Sequence, residues 1–170
     1  MEMDKTSIAI KVYVIAEEYG VPRTIVKSII SSYIDYCKDL ILHGERVDFV
    51  GLVSVVPDVQ VETYNSTLAF ECTKLADVLG IPYNTVFIII REYINGLIDE
   101  LLNGKSVEIR GIVTMKPYYE NDKIGGIHAS ISTSIKKALS LINSPVSSVR
   151  VHTHKLLKYN LQQVNSKLAS

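Results

Sequence analysis

Apolar residues in the first forty positions keep the spacing of helix faces. Ile8, Val12, Ile15 and Tyr19 stand three or four positions apart and predict a first helix, capped by Asp4 or Thr6 and ended by Gly20. Pro22 falls where a following helix starts, a place that tolerates its missing N–H. Val26, Ile29, Ile30, Tyr33, Ile34, Cys37, Leu40 and Ile41 then form the wide apolar face of a second helix running to about His43, with Gly44 as its stop. From Val47 to Val56 the residues are β-branched with partial alternation, which predicts a strand bent at Gly51. Pro57-Asp58 reads as a turn and Val59–Tyr64 as a short returning strand.

The same pattern is then written again. The stretch 16–57 recurs sixty positions later as 76–117, without a gap. Gly20-Val21-Pro22 returns as Gly80-Ile81-Pro82, and Ile29-Ile30 with Tyr33-Ile34 as Ile89-Ile90 with Tyr93-Ile94. Asp39, Leu42, Gly44, Val47, Gly51, Val53 and Pro57 return as Asp99, Leu102, Gly104, Val107, Gly111, Val113 and Pro117. The chain is an internal duplication. Two copies are too few for a solenoid, which needs about three, so the units are expected to pack face to face as a covalently joined pseudo-dimer. The most apolar segment, Val86–Ile90 continuing through Leu97 and Leu102, then becomes a helix buried all round against the other copy. Ile30 and Ile90, and Ile34 and Ile94, are expected in that interface.

In the second copy, Asn65 or Ser66 is expected to cap the helix bearing Leu68, Cys72, Leu75, Ala76 and Leu79. Val107–Lys116 is its strand, 117–126 a turn-like stretch, and Ile127–Ile131 the return. Ser132 or Thr133 caps a short helix with Ile135, Ala138, Leu139 and Ile142. Past Ser144-Pro145, residues 146–152 read as extended, and a last helix places Leu157, Leu161, Val164 and Leu168 on one stripe. The domain reading is a first repeat at 1–64, a second at 65–143, and a basic extension at 144–170.

Composition adds an asymmetry that the zero net charge hides. Residues 1–122 hold all 18 acids against 11 Lys or Arg, whereas residues 123–170 hold seven bases and no acid. An acidic body with a basic tail implies an anionic partner, or a tail lying on its own or a neighbouring acidic body. The 47% hydrophobic content supports a sizeable core, and no apolar run approaches the roughly 18 residues needed to cross a bilayer. The N-terminus lacks a secretory pattern. Cys37 and Cys72, at non-equivalent places in the copies, read as buried thiols of a reducing compartment.

Helix, Gly-x-Pro, long helix, then Gly-x-x-Val-x-x-x-Gly, seen twice, resembles the HU/IHF family of DNA-bending proteins. Gly44, Val47 and Gly51 carry the match in one copy, and Gly104, Val107 and Gly111 in the other. The family's next Phe-Gly is Leu52-Val53 and Ile112-Val113 here, and Ser134–Leu139 looks like its closing basic helix. The resemblance covers about residues 4–142. It implies an α+β fold: a tandem HU/IHF-like pseudo-dimer with shortened β-arms and a C-terminal helical extension. The family bends DNA with long basic arms tipped by Pro. Here the first segment, 56–62, is short and acidic, and the second, 116–126, is balanced in charge. Family function therefore does not follow from the fold.

Residues 75–86 resemble a helix-turn-helix, but the would-be recognition helix presents Phe87 to Ile90 where polar base-reading side chains belong. His43 and His128 stand apart, and His152-x-His154 lacks a Cys or carboxylate beside it, so it reads as a basic surface pair. No nucleophile or phosphate-loop motif is present. Neither enzyme activity nor cofactor, metal, membrane or small-molecule substrate is expected. IHF-like genes lie beside portal and tail genes in crass-like tailed phages. The resemblance thus implies a virion assembly protein, such as a head-to-tail connector ring made of its own copies beside neighbouring virion proteins and assembled in the host cytoplasm. The expected partner surface is Arg150, Lys155, Leu157, Lys158, Leu161, Val164 and Leu168, with a neighbouring subunit favoured over the chain's own body as the place where the stripe is buried. The alternative is a nucleoid-type or viral DNA-binding protein using the basic C-terminal region, with Lys116, Lys123, Lys136 and Lys137 as nucleic-acid contacts.

Overall fold

Glycine and proline set the helix boundaries where the pattern places them. The computed structural model describes residues 5–60 and 65–169, with side-chain environments for 12–60 and 65–166. Helices α1 (Lys5–Glu18) and α2 (Arg23–Leu42) meet at Gly20-Val21-Pro22, and α3 (Leu68–Leu79) and α4 (Tyr83–Leu102) at Gly80-Ile81-Pro82. Asp4, one expected cap, lies outside the described residues. For α3 the cap is Thr67, not Asn65 or Ser66; its hydroxyl accepts from Phe70 N at 3.2 Å. Ser66 instead belongs to β3 (Asn65–Ser66), which runs parallel to β1 (Arg46–Phe49).

The expected bent strand is a hairpin in both copies. β1 turns at Val50-Gly51-Leu52 and returns as β2 (Val53–Asp58); β4 (Val107–Ile109) does the same into β5 (Val113–Glu120). Gly51 and Gly111 have φ of 83° and 76°, where a Cβ is strained, so each reverses the chain rather than bending it. The expected turn at 117–126 is mostly strand as well. β5 continues to Glu120, reverses at Asn121-Asp122 with φ of 52° and 65°, and pairs with β6 (Lys123–Ile131). Asn and Asp tolerate the left-handed region that a two-residue hairpin turn needs.

Beyond β6 come α5 (Thr133–Leu141), capped by Ser132, β7 (Ser148–Thr153) and α6 (Lys155–Ala169). The returning strand expected at 59–64 does not form at Val59 and Gln60, and 61–64 lie outside the described residues. The place beside β2 is taken by β7, so the sheets run β3-β1-β2-β7 and β4-β5-β6. The molecule is α+β.

The two sheets follow one rule. Val53 opposite Thr153 matches Val113 opposite Ile131. His154 N donates to Leu52 O at 2.9 Å, and Ser132 N to Ile112 O at 2.8 Å. Leu157 on α6 and Ile135 on α5 are both fully buried. Residues 148–169 thus stand to the first repeat as β6 and α5 stand to the second.

One apolar core joins α2, α3, α4 and the inner faces of both sheets. Ile90, Ile34 and Ile94 are buried in it, while Ile30 is only half-buried. The face of α4 through Val86, Ile89, Tyr93, Leu97 and Leu101 is enclosed, but Phe87 and Ile88 are half-buried, so the helix is not covered all round. Cys37 and Cys72 are buried and free.

Candidate interaction surfaces

Two residues of the tail stripe are covered within the chain. Leu157 and Leu161 are 0% and 4% exposed within their own chain, because β7 pairs with β2 through six positions and carries α6 onto the body. Within a single chain the stripe is thus covered by the chain's own body, the other burial site that the sequence offered. The edge of β2 is covered by a complementary strand, and that strand, β7, is on the same chain. Arg150 is likewise engaged at home, its Nε 3.0 Å from Asp58 Oδ1. The Ser148 hydroxyl at 2.6 Å, then Arg150, hold the Asp58 carboxyl below its ordinary range. Lys155 and Lys158 are exposed, Val164 is half-buried, and the side chain of Leu168 lies outside the described residues.

The four candidate nucleic-acid lysines are all exposed but fall in two places. Lys116 and Lys123 lie on the β5–β6 hairpin, with Lys116 opposite His128; Lys136 and Lys137 lie on α5. Lys116, His128, Arg150 and His152 are exposed positions on the paired strands, the last two opposite Val56 and Ser54.

An apolar groove supplies a surface that the sequence reading missed. Val50, at the β1–β2 turn, and Leu156, in the first turn of α6, are 56% and 51% exposed. Gly51 sits between them. A Cβ there would stand 3.3 Å from Ile98 Cδ1 and 3.8 Å from Leu156 Cδ2. Leu68, Phe87 and Ile94 extend the apolar lining, Arg91, Asn95 and Asp99 edge it, and the groove measures about 580 Å³. Tyr83 stacks on Phe87 with ring centres 5.9 Å apart.

The matching place in the other half has different chemistry. Arg110-Gly111 replaces Val50-Gly51, Lys38 replaces Ile98, and Ser134 replaces Leu156. Lys38 Nζ donates to Ser134 Oγ, and a Cβ on Gly111 would meet those two atoms at 3.6 and 3.7 Å. The outward apolar residue at one hairpin turn, against an arginine at the other, is the plainest sequence signal that distinguishes the two places.

A buried polar cluster was also missed. Glu71 is fully buried, its Oε2 accepting from the Ser66 hydroxyl at 2.7 Å. Its Oε1 and the Tyr33 hydroxyl are buried without a well-formed hydrogen bond. Burial pushes the Glu71 carboxyl up to about 7, the Cys72 thiol up to about 11, and the Tyr33 and Cys37 groups well above their ordinary values. The sequence did carry a signal, since Glu71 stands three positions after Leu68 and four before Leu75, on the face that α3 buries.

Among the described residues no group of three or more His, Cys, Asp or Glu could hold a metal ion, and no helix is long and apolar enough to cross a membrane. Comparison with protein families, with curated proteins and with solved structures finds no match to the chain.

Proposed function

We propose that this chain is a structural assembly protein: a tandem HU/IHF-like pseudo-dimer that builds a homo-oligomer, with the head-to-tail connector ring of a phage virion as its concrete form. The observation that carries the reading is the divergence of the two surfaces at the hairpin turns. One is apolar around Val50, Ile98 and Leu156, and its counterpart is lined by Arg110, Lys38 and Ser134. A protein gripping a symmetric duplex has use for two like faces. A subunit with a fixed head and tail needs two unlike ones, because heterologous contacts join different patches and close into rings. Exposed apolar surface of this kind commonly marks a protein contact. Short arms agree with this: one hairpin ends at Asn121-Asp122, and the other position carries Asp58 held by Arg150.

The test is the oligomeric state. Ultracentrifugation and electron microscopy of the full chain are expected to show closed multimers, and Val50→Lys with Leu156→Lys to reduce them to monomers, while Arg110→Glu weakens them from the opposite face. A wild-type chain that stays monomeric at every concentration defeats the reading.

A second reading has its own observation. Lys116 on β5 stands exposed opposite His128 on β6, and Arg150 and His152 stand exposed on β7, positions at which side chains are able to meet phosphate. It calls for retention on heparin that falls steeply as salt rises.

A further inference from the structure

The sheet of the first repeat is finished by a strand from outside that repeat. After Asp58 the chain leaves β2 and reappears as β3 on the far side of β1, so the position beside β2 must be filled by residues about ninety positions later. The second repeat closes its equivalent position through the two-residue turn Asn121-Asp122, which ties β6 to β5. Only the first position is filled by a segment from outside its own repeat, and that segment also reaches β6, where Asn165 Nδ2 donates to Ile124 O at 2.7 Å.

From Ser144 onward the segment bonds mainly to the first repeat. Ser144 Oγ donates to Leu42 O at 2.6 Å, Ser147 N to Asp58 O at 3.0 Å, and His154 N to Leu52 O at 2.9 Å. The tether to α5 is Ile142-Asn143, both exposed, and Leu141 just before it is 75% exposed. An exposed apolar pair at the tether is unfavourable in a lone chain, and becomes covered where two copies approach. Charge points the same way: the segment holds bases and no acid, and every copy offers an acidic body with Asp58 at the slot.

We propose that the slot beside β2 is an intermolecular docking site, and that in the assembled protein residues 144–169 of one copy fill the slot of the next. This rests on the assembly reading and names its joint. The slot makes the same contacts whether the segment is its own or a neighbour's, so the balance is set by effective concentration. A dilute chain closes on itself. Copies held side by side exchange segments, and because slot and segment are different surfaces, the exchange is compatible with a head-to-tail ring.

The test uses cross-strand cysteines. Val56 and Arg150 are paired across β2 and β7, as are Ser54 and His152. Chains bearing Val56→Cys alone and chains bearing Arg150→Cys alone are refolded together, concentrated until they assemble, and oxidised. The wild type, whose own thiols are buried, and each variant by itself serve as controls. The pair Ser54→Cys and His152→Cys repeats the measurement should the first pair perturb folding. A disulfide between unlike chains, found in the assembled fraction and much less in the dilute one, is the expected result. Assembly without that bond, while a chain carrying both substitutions locks onto itself, overturns exchange and leaves the assembly reading standing. A chain monomeric at all concentrations overturns both.

Discussion

Glu71 is where a single residue most alters the behaviour expected of this protein. Its carboxyl, deep under α3, faces Ser66, Tyr33, Cys37 and Cys72, with Asp48 and Glu45 adding negative field. Its folded pKa of about 7 stands above the ordinary 4.5. Between those values the unfolded chain has lost a proton that the folded chain keeps, so stability falls as pH rises through this window and levels off above it. Converted at 1.36 kcal/mol per unit, the loss is about 3 kcal/mol. Urea titrations from pH 4.5 to 8 should show this decline, and Glu71→Gln should flatten it. A wild-type curve already flat across that range would mean that Glu71 finds a donor when ionised.

At the scale of elements, the tail and the second repeat's own ending are interchangeable in role. Leu157 and Ile135 occupy matching places, both fully enclosed, one on α6 and one on α5. Leu157→Ala and Ile135→Ala should therefore each cost roughly 2–5 kcal/mol by denaturant unfolding, as enclosed large-to-small changes do. Equal costs would fit equal roles. If Leu157→Ala costs under about 1 kcal/mol, α6 is not part of the core in solution. Removing 145–170 goes further, uncovering the whole β2 edge and both leucines, and should leave a first repeat that aggregates or unfolds.

For the whole molecule, charge and arm length decide against sharp DNA bending. All 18 acids precede position 123, and the seven bases beyond it are spread over a hairpin, α5, β7 and α6. Bending needs basic arms that follow the groove and a wedge between base pairs. Pro117 instead sits inside β5, opposite Ile127, as a paired strand residue. An energy-transfer assay on duplex DNA should show no change in end-to-end distance when the full chain is added at physiological salt. Sharp bending there would favour the DNA-binding reading over assembly.

The duplication, the four long helices and the Gly-Pro breaks between them are legible in the sequence, because local spacing and backbone stereochemistry dictate them. Ile34, Ile90 and Ile94 are legible as core for the same reason. Strand pairing is different. That Gly51 and Gly111 reverse the chain, and that 117–126 is hairpin rather than loop, depends on partners across the sheet. The greatest gap concerns residues 144–169. Their stripe announces that Leu157 and Leu161 must be buried, but the burial site is set by an open strand edge about ninety positions away. The apolar groove is equally hidden, since Val50, Ile98 and Leu156 come from three separate elements. Amphipathic spacing records that a face needs cover; only the tertiary structure decides what covers it, because that depends on which edges and faces the rest of the chain leaves open.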